Sequence, residues 1–158
     1  MKVDALIVPE PGTCEVEQRE LDERLEPDQV LLRTVASVIS AGTELSEFMK
    51  THRGFDTGNI PFASYPYYPG YSAVGEVVEV GSKVDTVGKG DMVRFSGRHA
   101  TYSKAKASGV GRLPDGMDPQ VAAFHSIVGH AMTGPRLAPP RFGENVVVFH
   151  ERHRTMHC

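Results

Sequence analysis

Short apolar segments, each closed by glycine or proline, fill the first two thirds of this chain and restrict its fold more than any other feature. Lys2 to Val8 runs into Pro11-Gly12, and Cys14 to Leu21 follows as the antiparallel return. Glu26-Pro27-Asp28 marks the next turn. Val30 to Ser40, VLLRTVASVIS, is apolar and β-branched on both faces, as a central strand is. Gly42 breaks it. Thr43 to Lys50 reads as a short helix, with Thr43 fitting the N-cap and Glu44 a solvated acid in the first turn. Ala73 to Val80, Asp91 to Phe95, His99 to Ser103 and Gly109 to Leu113 continue the series of strands. The 16 glycines and 11 prolines fall singly or in pairs, which predicts a many-turned β protein rather than a linker. Only Thr51 to Pro69, rich in Gly, Pro and Tyr, is long for a connection, and such connections are functional or mobile.

The period then changes. Asp118-Pro119 has the form of a helix start, with Asp at the N-cap and Pro at the first helical position. Val121 to Met132 carries an apolar, small-residue helical pattern that Gly134-Pro135 should end or kink. Val146 to Phe149 is wholly apolar, like a strand buried on both faces of a parallel sheet. Such a strand needs neighbours and covering helices, and no later segment supplies them.

The bulk numbers exclude several classes. A length of 158 residues holds one domain, or one domain and a fragment of another. A net charge of -3 gives no electrostatic reason to expect nucleic acid or an anionic membrane as partner. No apolar run approaches the roughly 20 residues that span a bilayer. MKVDALIVPEPG lacks the form of a signal peptide, and two cysteines, Cys14 and Cys158, are too few for a disulfide scaffold. The expectation is a cytoplasmic protein.

Five collinear patterns carry a resemblance. They are SAGTE at Ser40 to Glu44, PGYSAVGEVVEVG at Pro69 to Gly81, VGKGDMV at Val87 to Val93, LPDGMDPQVAAF at Leu113 to Phe124, and FGENVVVF at Phe142 to Phe149. In this order they resemble the medium-chain dehydrogenase/reductase superfamily of the zinc-type alcohol dehydrogenases, from about Met1 to Phe149. The resemblance implies a mainly β, α+β chain. Residues 1–117 would form a GroES-like, partly open β-barrel with one or two helices. Residues 118–149 would be a helix and the first strand of an absent Rossmann domain. Residues 150–158 would be an out-of-family, disordered tail, so deletion after Phe149 should leave folding unchanged. His150, His153, His157 and Cys158 in that tail also admit a metal-cluster reading.

The zinc pattern is broken. Thiolate and imidazole ligands suit zinc, with an open position for the substrate oxygen. The family's first ligand falls at Ala41 and its second at Tyr71, with Ser72 at the neighbouring acidic position and His125 near the third. The interval Phe95 to Leu113 lacks the four cysteines of a structural zinc lobe. The resemblance therefore implies a zinc-independent branch. Three residues are candidate catalytic groups. Thr43 falls where the family carries a relay hydroxyl, and a hydroxyl both donates and accepts; this is compatible with an N-cap role. Tyr71 would bond a substrate carbonyl or, with a lowered pKa, act as an acid; it would equally fill the space of the absent metal. His125, in an apolar helix, is a candidate base or a satisfied boundary residue.

NAD or NADP is implied by the resemblance, but no cofactor-binding residue is assigned. Phe149 leads into His150-Glu151-Arg152-His153, where the family has a glycine-rich phosphate turn. The expected function is the substrate-side domain of an NAD(P)-dependent, alcohol dehydrogenase-like oxidoreductase acting on a small alcohol or ketone, inactive as this chain alone. The alternative is a non-catalytic binding module, or a subunit pairing with a separate nucleotide-binding chain. Either way the surface facing the absent domain predicts self-association.

Overall fold

The structure, a computed structural model, describes residues 1–57 and 64–147. Strands β1 (Lys2–Ile7) and β2 (Glu15–Glu20) form an antiparallel hairpin, with Lys2 opposite Glu20 and Ile7 opposite Glu15. Next come β3 (Gln29–Ser37), the short helices α1 (Thr43–Phe48) and α2 (Gly54–Thr57), and β4 (Ala73–Val80). β5 (Met92–Phe95), β6 (Tyr102–Lys106) and β7 (Gly111–Arg112) complete a five-stranded antiparallel sheet in the order β6-β3-β4-β5-β7. The hairpin closes against this sheet through Leu6 N–H to the His99 carbonyl and Thr101 N–H to the Asp4 carbonyl, both 2.9 Å. The result is the partly open, GroES-like β-barrel expected from the sequence.

Val30, Leu32, Ala73, Val77, Val87, Val93 and Phe95 form the core. The β3–β4 ladder shifts register at Leu31/Leu32 and again between Thr34 and Ala36. Gly75 lies at the second shift, where a Cβ would sit 2.6 Å from the Arg33 carbonyl oxygen, so only glycine lets the two backbones approach this closely.

After the barrel come α3 (Pro119–Ala122), α4 (His125–Ala131) and α5 (Thr133–Leu137). Asp118 caps α3 by accepting the Gln120 N–H at 2.8 Å, and Pro119 follows in the first turn, as the sequence implies. Ala122 and Ala123 pack on Val74 and Leu113 and hold α3 to the sheet.

Several local expectations are corrected. Val30 to Ser40 is buried on both faces only over Val30–Leu32; from Arg33 onward exposure alternates, because one face of the sheet is open there. Thr43 is not the N-cap. Gly42 holds that position without a side-chain bond, and Ser40 Oγ accepts the Thr43 N–H at 3.3 Å instead. The strand expected at His99 begins only at Tyr102, since the His99 carbonyl is engaged by β1. The long helix is interrupted at Ala123-Phe124. The helix breaks again at Met132, just ahead of Gly134-Pro135 as expected, and that pair then lies in the first turn of α5, where a missing N–H costs little. Val146 and Val147 are exposed and belong to no strand. Val148, Phe149 and the whole segment 150–158 lie outside the described residues, and so does the metal-cluster reading of that tail. Among the described residues, no helix is long and apolar enough to cross a membrane.

Candidate functional site

A cleft of about 500 Å³ opens where the start of α1, the 64–72 segment and the turn after β5 meet. Thr43, Glu44 and Glu47 line it from α1, Tyr67, Tyr68, Gly70 and Tyr71 from the connection, and Ser96, Gly97 and Arg98 from the turn. Gly70 makes this convergence possible. Its φ of 108° is in the left-handed half of backbone space, and a Cβ there would lie 2.5 Å from the His99 backbone nitrogen.

Glu44 is not the solvated acid that its helix-start position suggests. It is 5 % exposed. One carboxylate oxygen faces His99 Nε2 at 2.9 Å, and the other accepts the Ser40 N–H at 2.6 Å. Burial pushes the Glu44 carboxyl up, but the hydrogen bonds from His99 and Ser40 outweigh it and hold the group below the ordinary carboxylate range. It is therefore a buried carboxylate with committed donors. Glu47, half-buried on the same helix, goes the other way: burial pushes its carboxyl up.

The structure brings Thr43 and Tyr71 to the same cleft, Thr43 exposed and Tyr71 half-buried. It does not bring His125 there. His125 begins α4, with Nε2 at 3.2 Å from the Phe95 carbonyl and Nδ1 at 3.3 Å from Ser126 Oγ. Burial holds its pKa down, so its neutral ring donates to that carbonyl. Ser72, next to Tyr71, is fully buried; its Oγ donates to the Ala123 carbonyl at 2.6 Å and receives the Ser126 N–H at 3.4 Å. Ala41 is exposed and offers no donor atom.

Sequence reasoning missed two groups. Tyr67 lines the cleft, its buried hydroxyl has no hydrogen-bond partner among the described residues, and burial together with the nearby Glu47 pushes its pKa up to about 12. Three tyrosines between Tyr65 and Tyr68 gave no means of choosing it. The second is His99, whose partner Glu44 is 55 positions away, too far for any local pattern to pair them.

Comparison with known proteins follows from this geometry. Residues 26–134 match the family model described as the alcohol dehydrogenase GroES-like domain. No curated protein matches the chain in sequence. Solved structures share the fold. An oxidoreductase/dehydrogenase of unknown specificity involved in membrane biogenesis, from Escherichia coli, superposes with a TM-score of 0.73 at 22% identity over 90% of this chain and 49% of its own. Galactitol-1-phosphate dehydrogenase from Escherichia coli gives 0.72 at 20% identity, over 85% of this chain and 45% of its own. The quinone oxidoreductase from Coxiella burnetii gives 0.67 at 18%, over 86% and 46%. The chain thus spans less than half the length of each of these structures. With a match that covers most of its length and a barrel of the same fold, the chain belongs to the alcohol dehydrogenase GroES-like domain family.

Proposed function

We propose that this chain is the substrate-side domain of a zinc-independent, NAD(P)-dependent oxidoreductase of the alcohol dehydrogenase type, inactive without a nucleotide-binding domain. The observation that carries the reading is Tyr67, which lines the same cleft as Thr43 and Tyr71 and whose hydroxyl lacks a partner among the described residues. A buried hydroxyl without a partner costs about 1–3 kcal/mol, and a substrate oxygen would relieve that cost. With its pKa raised, Tyr67 stays a donor across the physiological range. In this reading Tyr67 and Tyr71 orient the oxygen of a small alcohol or ketone, and Thr43 exchanges the proton of that oxygen. The nicotinamide, when bound, supplies or accepts the hydride.

The residues present do not fit zinc. Ala41 has no ligating atom, Ser72 Oγ is committed on both sides, and His125 Nε2 faces the Phe95 carbonyl. No step is therefore assigned to a metal. A fluorescence titration with NADH and NADPH tests the cofactor part: the isolated chain should give no saturable binding, and a micromolar site would overturn that part. For the cleft, adding a small ketone should shift the NMR signals of Thr43, Tyr67 and Tyr71 together, and Tyr67→Phe should abolish the shift. Unmoved signals at saturating ketone would rule out the substrate role.

Self-association belongs to the same reading. Val121, Phe124, Val128, Met132 and Leu137 on the helical segment, and Phe142 in the turn that follows, are exposed large apolar groups. Light scattering should show mass rising with concentration; a monomer at every concentration would contradict it.

A further inference from the structure

On the outer side of the wall that separates the cleft from the opposite surface, Glu44 and His99 continue into a third residue. His99 Nδ1 is 2.8 Å from Ser37 Oγ, while Nε2 is 2.9 Å from Glu44 Oε1. The three residues form one line: a buried carboxylate, a buried imidazole 8 % exposed, and an exposed hydroxyl at the end of β3. Ser37 and His99 open on a groove of about 310 Å³ with apolar walls from Leu6, Val16, Val35 and Ala100. This groove is distinct from the cleft of the proposed oxidoreductase site.

We propose that Ser37 is a base-activated nucleophile that takes a short acyl group from an activated ester. Acid, base and nucleophile are recognised by their mutual geometry, not by their order in a chain. Each member meets its requirement here. Glu44, a carboxylate that also accepts the Ser40 N–H, accepts the Nε2 proton and so fixes the tautomer. That leaves the Nδ1 lone pair on Ser37 Oγ, the arrangement in which imidazole receives the hydroxyl proton. The ring is turned so that Nδ1, rather than Nε2, serves the nucleophile. Thr34, whose Oγ1 is buried with no hydrogen-bond partner among the described residues, lines the same groove.

The step balances within the chain and its ester. Ser37 Oγ forms the bond to the acyl carbon as its proton passes to His99 Nδ1. The bond from that carbon to the leaving oxygen breaks, and the His99 proton leaves with the alcohol. Water, deprotonated by the same ring, then releases the acid and restores the serine. Val16 and Val35, both exposed beside Ser37, give an apolar wall for the acyl chain.

The test uses the purified chain with p-nitrophenyl acetate and, separately, an alkyl fluorophosphonate, with modified peptides located by mass spectrometry. Modification should concentrate on Ser37 and be lost in Ser37→Ala. Labelling should be slower by about a hundredfold in urea-unfolded chain, where the base is no longer held in place. Glu44→Gln, checked for an unchanged circular dichroism spectrum, should slow it at least about tenfold. Should Glu44→Gln fail to fold, the folded-to-unfolded ratio decides alone. Equal labelling of Ser37 in folded and unfolded chain would overturn the proposal, as would preference for any other serine.

Discussion

Val77 and Val93 in the barrel are fully buried, while Val128 in α4 is 53 % exposed and Leu137 in α5 is 82 % exposed. The two regions use the same residue types. They differ in what surrounds them. Each barrel strand has a partner on at least one side and a second layer to close over it, so its valines leave water together. Among the described residues the helices are held to the barrel by the packing of Ala122 and Ala123 on Val74 and Leu113 and, just beyond, by hydrogen bonds at His125 and Ser126. The barrel is thus folded by its own contacts, whereas the helical arm holds an apolar face that the described residues do not cover. An apolar residue stabilises only what it is packed against.

The sharpest way to break this comparison is a pair of truncations at single side chains. Phe95→Ala should cost about 3–5 kcal/mol in urea unfolding, because it removes the largest fully buried side chain. Val128→Ala on the exposed arm should change stability by no more than about 0.5 kcal/mol. Similar losses at both sites would mean that the arm is packed after all.

Next in size is the buried pair. Glu44→Ala should cost about 2–3 kcal/mol, since it leaves His99 and the Ser40 N–H without their acceptor. The acid limb carries the same signature. The Glu44 carboxyl is held below its ordinary value, so its contribution is present above the unfolded carboxylate pKa and is lost as pH falls through the folded one. Urea midpoints of the parent chain should therefore drop below about pH 4, and those of Glu44→Gln should drop less. Identical profiles would remove Glu44 from the account.

Gly75→Ala should follow, at about 1–3 kcal/mol, because its Cβ would press on the Arg33 carbonyl and the β3–β4 ladder cannot part there without losing hydrogen bonds. The smallest effect should come from cutting the chain after Leu137, since residues 138–147 are all exposed. The urea midpoint of the shortened chain should match the parent to within about 0.5 kcal/mol, and a larger loss would move the edge of the folded unit into the arm.

The sequence made the barrel legible because alternation, glycine placement and turn residues are all local signals. Gly75 and Gly81 could be placed at a strand and its end without knowing what lay across from them. The Asp118-Pro119 helix start was equally readable, since both residues act within one turn. The site was less so. Thr43 and Tyr71 came from the resemblance and do share a cleft, but Glu44 was read as solvated because a helix-start acid is solvated unless something distant covers it. What covers it is His99, brought in by the loop before β6. His125 shows the converse: a histidine in the right stretch of sequence, whose ring faces the Phe95 carbonyl and not the cleft. Local sequence fixes which groups are available, and only the closed barrel decides which of them meet.

Ser72 has a consequence for motion. Its hydroxyl grips the Ala123 carbonyl and the Ser126 N–H at the junction of α3 and α4, and the next residue back along the chain is Tyr71. The arm is therefore pinned to the barrel at a fulcrum one residue from the cleft, with no slack linker between. A shift of the α3–α4 junction pulls first on Ser72, the neighbour of a residue that lines the cleft.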